Sequence, residues 1–377
     1  PTEGPMVAYV DEGSPDIVYV TEAVAPDLAS DWGAPVARSS TSATATSFGI
    51  QAPVLADSTG GQALAWLQHD PLSMEVKVHT HVTYQPFVQD QILDPGVSGP
   101  ADFVDLDVND VGDGWALWRE SDSGVSKVYA RHLTSSGWST EDYSVPVCND
   151  AGVADSPPAL AVHDVGTGAF FACEVSGDIH VGRLEAPNTV LDFVNLEGDG
   201  IEDSTEVRLI VEPGTDNPRA LVTWEASSSN TIQYRFYDPS VGWGAEGTLY
   251  ADTQNLIAYE IGMDNRGEVW GISFVDNTGT TGDACGIDAD CGTDSRCTSG
   301  GVCDVTMATL ATTKYVFLPG GGMGQFQEDL AVRAVNGMAT KTDLDVDEDG
   351  NAILAVEEWN SNVGGSEVAV YVNFSQF

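Results

Sequence analysis

Apolar and polar residues alternate through most of this chain, in short runs separated by turns rich in Gly, Asp, Asn and Ser. The pattern is clearest between Asp102 and Pro146. There Phe103 to Val108 alternates, Gly112-Asp113-Gly114 turns, Trp115 to Glu120 follows and Lys127 to Leu133 alternates again. After Ser135-Ser136-Gly137 a fourth run extends from Trp138 to Val145. Side chains on a strand point to opposite faces in turn, so period-two runs bounded by turn formers predict consecutive antiparallel strands. No amphipathic helix is predicted.

The second run of this unit recurs. Small and large apolar residues lead to a bulky residue, often with an acid after it. The copies are Ala63 to Trp66, Ala116 to Trp118, Phe170 to Glu174, Ala220 to Glu225 and Ile353 to Glu357. Trp66 to Trp118 is 52 positions, Trp118 to Cys173 is 55 and Cys173 to Trp224 is 51. A fixed period of this length marks an array of supersecondary units. Weaker copies at Val7 to Val10 and Val269 to Phe274 bring the expected number of units to seven. Four short strands per unit predict an all-β fold, a seven-bladed β-propeller with four-stranded antiparallel blades, forming a single domain over residues 1–377. The first unit is expected to lack its innermost strand, and the last, Thr342 to Phe377, its outermost.

Charge narrows the partners. Against 58 Asp and Glu stand 14 Lys and Arg, a formal net charge of −44. Such a field repels nucleic acid and anionic bilayers, so neither nucleic-acid binding nor membrane insertion is expected. No apolar run approaches the ~18 residues of a spanning helix. The acids are spread through strands and turns, which predicts a solvated acidic surface, with specific cation sites as the alternative.

Six cysteines bear on the compartment. Cys285, Cys291, Cys297 and Cys303 are evenly spaced among Gly, Asp, Ser and Thr, without the close pairs of a thiolate zinc site. A small loop held by disulfides is predicted over 280–305, inserted in the sixth blade, in an oxidising location. The segment resembles short Cys-rich inserts of secreted Gram-negative bacterial proteins, which implies export to the cell surface or beyond. Cys148 and Cys173 are left for a bridge between successive units, the alternative being a buried Cys173 thiol in a slot that Trp fills elsewhere.

Asp343, Asp345, Asp347 and Asp349, followed by Gly350, place carboxylates at every second position before a tight turn, a pattern that converges oxygen ligands on Ca²⁺. The segment resembles the calcium loops of integrin-type propeller repeats, with Asp345, Asp347 and Asp349 at the first three carboxylate positions. The ninth position, acidic in those loops, is Ile353 here. The alternative is an acidic hairpin turn without a specific ligand. A weaker cousin, Asp105, Asp107, Asn109, Asp110 and Asp113, is expected to be ordinary turn chemistry. His79 and His81 flank Thr80 on a predicted strand and are read as strand histidines without metal. Trp32, Trp138 and Trp243 recur at the turn before an outer strand, where aromatic rings either stack on sugars or seal one blade against the next.

No Gly-x-Ser-x-Gly elbow, His-Glu-x-x-His pair, phosphate loop, haem motif or Ser-x-Asp-x-Gly-x-x-Trp turn is present. The sequence is therefore read as a secreted, non-catalytic binding or assembly module, calcium-stabilised, whose open terminal strands invite other protein subunits or a second copy. Two alternatives are carried: a lectin-like propeller with a glycan partner, and a polysaccharide-cleaving propeller enzyme.

Overall fold

A computed structural model describes most of residues 101–250 with their side chains, and elsewhere mainly the strand backbones named below with a few core side chains. The chain forms two compact units, Pro1–Pro218 and Arg219–Phe377.

In the first unit β1 (Met6–Asp11), β2 (Ile17–Glu22) and β3 (Val36–Ala37) form a three-stranded sheet in that order. A four-stranded sheet follows, β4 (Ile50–Ser58), β5 (Gly61–Asp70), β6 (Glu75–Val82) and β7 (Gln91–Ile92). Next come β8 (Ala101–Val108), β9 (Gly114–Asp122) and β10 (Val125–Thr134). Two short outer pieces, β11 (Gly137–Trp138) and β12 (Cys148–Asp150), both pair with β10. Of the expected fourth run, Trp138 to Val145, Trp138 lies in β11. Residues 140–146, between these two pieces, lie outside the described residues. The fourth sheet is β13 (Ala159–Val162), β14 (Ala169–Val175), β15 (Asp178–Glu185) and β16 (Thr189–Asn195), and β17 (Ser204–Val211) is the unit's last strand.

In the second unit β18 (Ala220–Ala226) pairs with β19 (Thr231–Asp238), whose other edge takes both β20 (Gly242–Trp243) and β21 (Gly247–Ala251). β22 (Leu256–Met263) and β23 (Glu268–Val275) are followed in the chain by a separate hairpin, β24 (Ser295–Cys297) with β25 (Cys303–Val305). The sheet then resumes with β26 (Met307–Leu318) on β23 and β27 (Gly322–Asn336) outside it. A three-stranded sheet, β28 (Ala339–Val346), β29 (Ala352–Asn360) and β30 (Gly365–Asn373), completes the chain's described strands. Among the described residues every element is a strand or a turn.

Sheets pack face to face through the alternating apolar positions. One core cluster joins Ala63, Ala65 and Leu67 of β5 to Val104, Leu106, Trp118, Tyr129 and Leu133 of the next sheet. A second joins the opposite face of that sheet, Trp115, Leu117 and Val128, to Leu160, Val162, Phe171 and Leu184. The repeated bulky position is fully buried as Trp66, Trp118 and Trp224. Each such ring removes a large apolar area from water, on the order of 3 kcal/mol. Trp118 stacks on Tyr129 at 5.9 Å, and its buried Nε1 donates to Glu120 Oε1 at 2.8 Å. Gly182 lets Phe171 lie across β15, since a Cβ there would meet the ring at 2.6 Å.

Where the other units place Trp, Cys173 of β14 is bonded to Cys148 of β12, with Cα atoms 6.8 Å apart. The bridge ties the outer edge of one sheet to the second strand of the next. Cross-linking positions 25 apart constrains the unfolded chain by about 3 kcal/mol.

Candidate functional site

Acidic side chains of β8 reach the next sheet. An innermost strand has one edge with no strand beside it, so its N–H groups need other acceptors. Asp105 and Asp107 lie two apart and share a face of β8. Asp105 Oδ1 takes the Leu106 N–H at 2.8 Å and its Oδ2 the Leu160 N–H at 3.0 Å. Asp107 repeats this, with Val108 at 2.8 Å and Val162 at 2.7 Å. Buried Asn109 finishes the clasp from the β8–β9 turn. Its Oδ1 accepts from the backbone of Val111 (3.2 Å) and Asp113 (2.9 Å), and its Nδ2 donates to the carbonyls of His163 (3.1 Å) and Gly166 (2.7 Å). These residues do hold a turn, and they also bind two sheets together.

The acid-rich segment of the last sheet begins on β28. Asp343 and Asp345 stand on β28 opposite Ala355 and Ile353, and Asp347 and Asp349 lie outside the described residues. Four carboxylates in this spacing are a donor set suited to a hard, oxygen-seeking cation. On β6, His79 stands opposite Trp66 and His81 opposite Leu64. Cys297 and Cys303 face each other across the β24–β25 hairpin, whereas Cys285 and Cys291 lie outside the described residues.

The aromatic turns differ in length but keep the same register. Two residues separate Thr134 from Gly137, and three separate Asp238 from Gly242. Both turns close through a glycine with positive φ, 109° at Gly137 and 84° at Gly242, which a residue with a Cβ rarely adopts. Opposed residues on antiparallel strands share a face. Trp138 is opposite Leu133, a core residue, and is only 7% exposed within the core cluster. Trp243 is opposite Tyr237, on the face of β19 that alternates with buried Ile232, Tyr234 and Phe236. It keeps a half-buried ring, tilted on Tyr237 at 5.2 Å. Beside it Asp238 is pulled below the usual carboxylate range, chiefly by the Ser240 hydroxyl and then by the Ser240 N–H at 2.7 Å. Trp32 lies outside the described residues.

One titratable group carried no sequence signal. His163 follows β13, packs its ring on Phe170 at 5.3 Å and crowds Gly168. Burial, and then the nearby Arg183 charge, push its pKa down to about 4, and its Nε2 is buried without a hydrogen-bond partner. The imidazole is therefore neutral at pH 7. Nothing in the residues around position 163 announces this, because Arg183 and Phe170 come from later strands.

No protein-family model matches the chain, and no curated protein matches it. Solved structures do. An ulvan lyase of polysaccharide lyase family 25, determined bound to -[GlcA(1-4)Rha3S]-, aligns with 99% of this chain and 91% of its own at 8% identity and a TM-score of 0.53. That likeness, with the successive antiparallel sheets, settles the architecture. The fold is a β-propeller. The fucose-specific lectin of Aleuria aurantia aligns with 86% of this chain and 96% of its own, at 14% identity and a TM-score of 0.41. A thermostable family-43 glycoside hydrolase aligns with 67% of the propeller and 94% of its own chain, at 11% identity and a TM-score of 0.36. Among the described residues no helix is long and apolar enough to cross a membrane.

Proposed function

We infer that this propeller is a secreted carbohydrate-binding protein. The observation that carries the reading is Trp243, a half-buried indole beside Tyr237 on a turn whose counterpart, Trp138, is given over to the core. An indole face takes the C–H surface of a sugar ring, and Tyr supplies a polar neighbour. A whole-length fold likeness to an enzyme bound to a polysaccharide supports the choice, as analogy of fold. Charge sets the glycan class. The lyase's ligand carries uronate and sulfate, and a chain with −44 net charge disfavours such a polyanion. Neutral glycans are the expected ligands. The reading also takes the ring to be seven-bladed over residues 1–377, and the Asp343 to Asp349 turn to hold Ca²⁺.

A glycan array probed at physiological salt tests it. Hits confined to neutral glycans and lost in Trp243→Ala, with thermal stability kept, are the expected result. No hits, or hits indifferent to Trp243→Ala, would remove the reading. Incubation with the same glycans tests cleavage, and new reducing ends or unsaturated products would convert the binder into an enzyme.

A further inference from the structure

β16 is an unusual outer strand. It ends the β13–β16 sheet, and among the described residues no strand pairs with its outer edge. The other outer strands of the first unit are two or three residues long, and β16 has seven. Shortness is how proteins commonly keep an edge from recruiting another chain. Six of the seven positions are exposed, and they include Val190 at 38%, Phe193 at 43% and Val194 at 38%.

A bulge arranges these side chains. Register slips between Val181 and Arg183, and Asp192 takes a φ of 51° there, its carboxylate held by Arg183 at 2.9 Å. Strict alternation would send Val190 and Phe193 to opposite faces. Instead Val190 is opposite core Leu184, and Phe193 lies over Gly182 on the same face, stacked on Phe171 (6.0 Å) and His180 (5.2 Å). Val194 is opposite Val181, and Leu191 is opposite Arg183. Both faces of the edge thus offer apolar side chains.

Carboxylates bound the strip at each end. Exposed Glu185 pairs with Thr189 at one end, and Asp178 holds the Asn195 amide at 2.7 Å at the other. Arg183, opposite Leu191, is already committed to Asp192. A second copy of this acidic chain is repelled here, and a sugar would find the Phe193 ring engaged by His180 and Phe171.

We propose that the outer edge of β16 docks an extended segment of another protein by strand addition, a segment apolar in its middle and carrying Lys or Arg at both ends. Main-chain pairing supplies the binding, the apolar side chains at Val190, Phe193 and Val194 choose the middle, and the carboxylates choose the ends. The site is separate from the Trp243 turn and stands or falls independently of glycan binding.

The test uses the full chain and a blocked, fluorescent peptide of alternating Val and Thr with two Lys at each end, read by anisotropy. Saturable binding is expected, at least tenfold weaker for the same peptide with Glu ends and at least tenfold weaker in Val194→Lys. Val241→Lys, at a valine 80% exposed elsewhere, is expected to bind as the parent does. Thermal unfolding of both variants checks that the fold is kept, and Val190→Lys replaces Val194→Lys if the latter melts early. No saturable binding, equal binding by the two peptides, or equal loss in Val241→Lys would overturn the proposal. So would a concentration-dependent dimer abolished by Val194→Lys, which would give the edge to a second copy. Displacement of the peptide by a neutral oligosaccharide would give it to a glycan.

Discussion

The β8–β9 and β28–β29 connections are equal in length and differ in chemistry. In both, the inner strand ends on a valine, Val108 opposite Gly114 and Val346 opposite Ala352, so that five residues, 109–113 and 347–351, connect the strands. Asp105 and Asp107 therefore correspond to Asp343 and Asp345, Asn109 to Asp347, Val111 to Asp349 and Gly112 to Gly350. At β8 the carboxylates are satisfied by the N–H groups of Leu160 and Val162, and the Asn109 amide donates to two carbonyls. A carboxylate at the Asn109 position donates nothing, and one at the Val111 position adds charge where the first turn has an aliphatic group. At β8 the clasp depends on an amide that donates, and Asp347 in its place has no hydrogen to give when ionised. The calcium proposal for the last turn rests on that difference.

The largest effect is expected from giving the first turn the chemistry of the second. Asn109→Asp withdraws two donors and puts an unpaired charge where the side chain is 1% exposed. It should lower stability by about 3–5 kcal/mol, read from the urea midpoint in chelator. With Val111→Asp added, carboxylates stand at 107, 109 and 111, the spacing of 345, 347 and 349. Millimolar Ca²⁺ should then restore part of the loss. If it restores nothing while Ca²⁺ stabilises the parent chain, spacing alone does not make the site and the comparison breaks.

That contrast also marks what the residue order reveals. Strand positions were legible, because alternation is local: Phe103 to Val108 and Lys127 to Leu133 fall within β8 and β10. The 51-to-55 spacing picked out Trp66, Trp118 and Trp224 as buried anchors and Cys173 as their disulfide-bonded counterpart. The clasp was not legible, since the partners of Asp105 and Asp107 lie 55 residues away and are backbone groups with no side-chain signature. Nor was the split between Trp138 and Trp243, because both stand at the same place in their hairpins, opposite Leu133 and Tyr237, and what covers each ring comes from elsewhere in the chain. β16 is not legible either, because its bulge at Asp192 breaks the alternation that identifies strands.

A middle-sized effect separates the two turns directly. Asp107→Ala leaves the Val162 N–H without its carboxylate acceptor and should cost about 1–3 kcal/mol with or without Ca²⁺. Asp345→Ala should change the midpoint in chelator by less than about 0.5 kcal/mol. It should also abolish the added stability that Ca²⁺ gives the parent, about 2.7 kcal/mol at a hundredfold excess over Kd. A calcium-independent cost in Asp345→Ala would make the last turn a second clasp.

The smallest effect comes from the ring of His163, whose carbonyl receives the Asn109 amide. Its folded pKa, about 4, lies below the ordinary value of 6.5, so between these limits the unfolded chain binds a proton that the folded chain does not. Stability is fully present above pH 6.5 and falls as the pH drops toward 4. Because the imidazole keeps some contact with water, the loss between pH 7 and 5 should be about 1 kcal/mol, less than the full shift would give. His163→Gln keeps the backbone carbonyl and removes the titration. The difference between the urea midpoints of the two chains should therefore narrow on acidification, while carboxylates common to both cancel. A difference that stays constant would mean that the ring is solvated in the folded state. The β8–β9 clasp would then depend on the backbone of residue 163 alone.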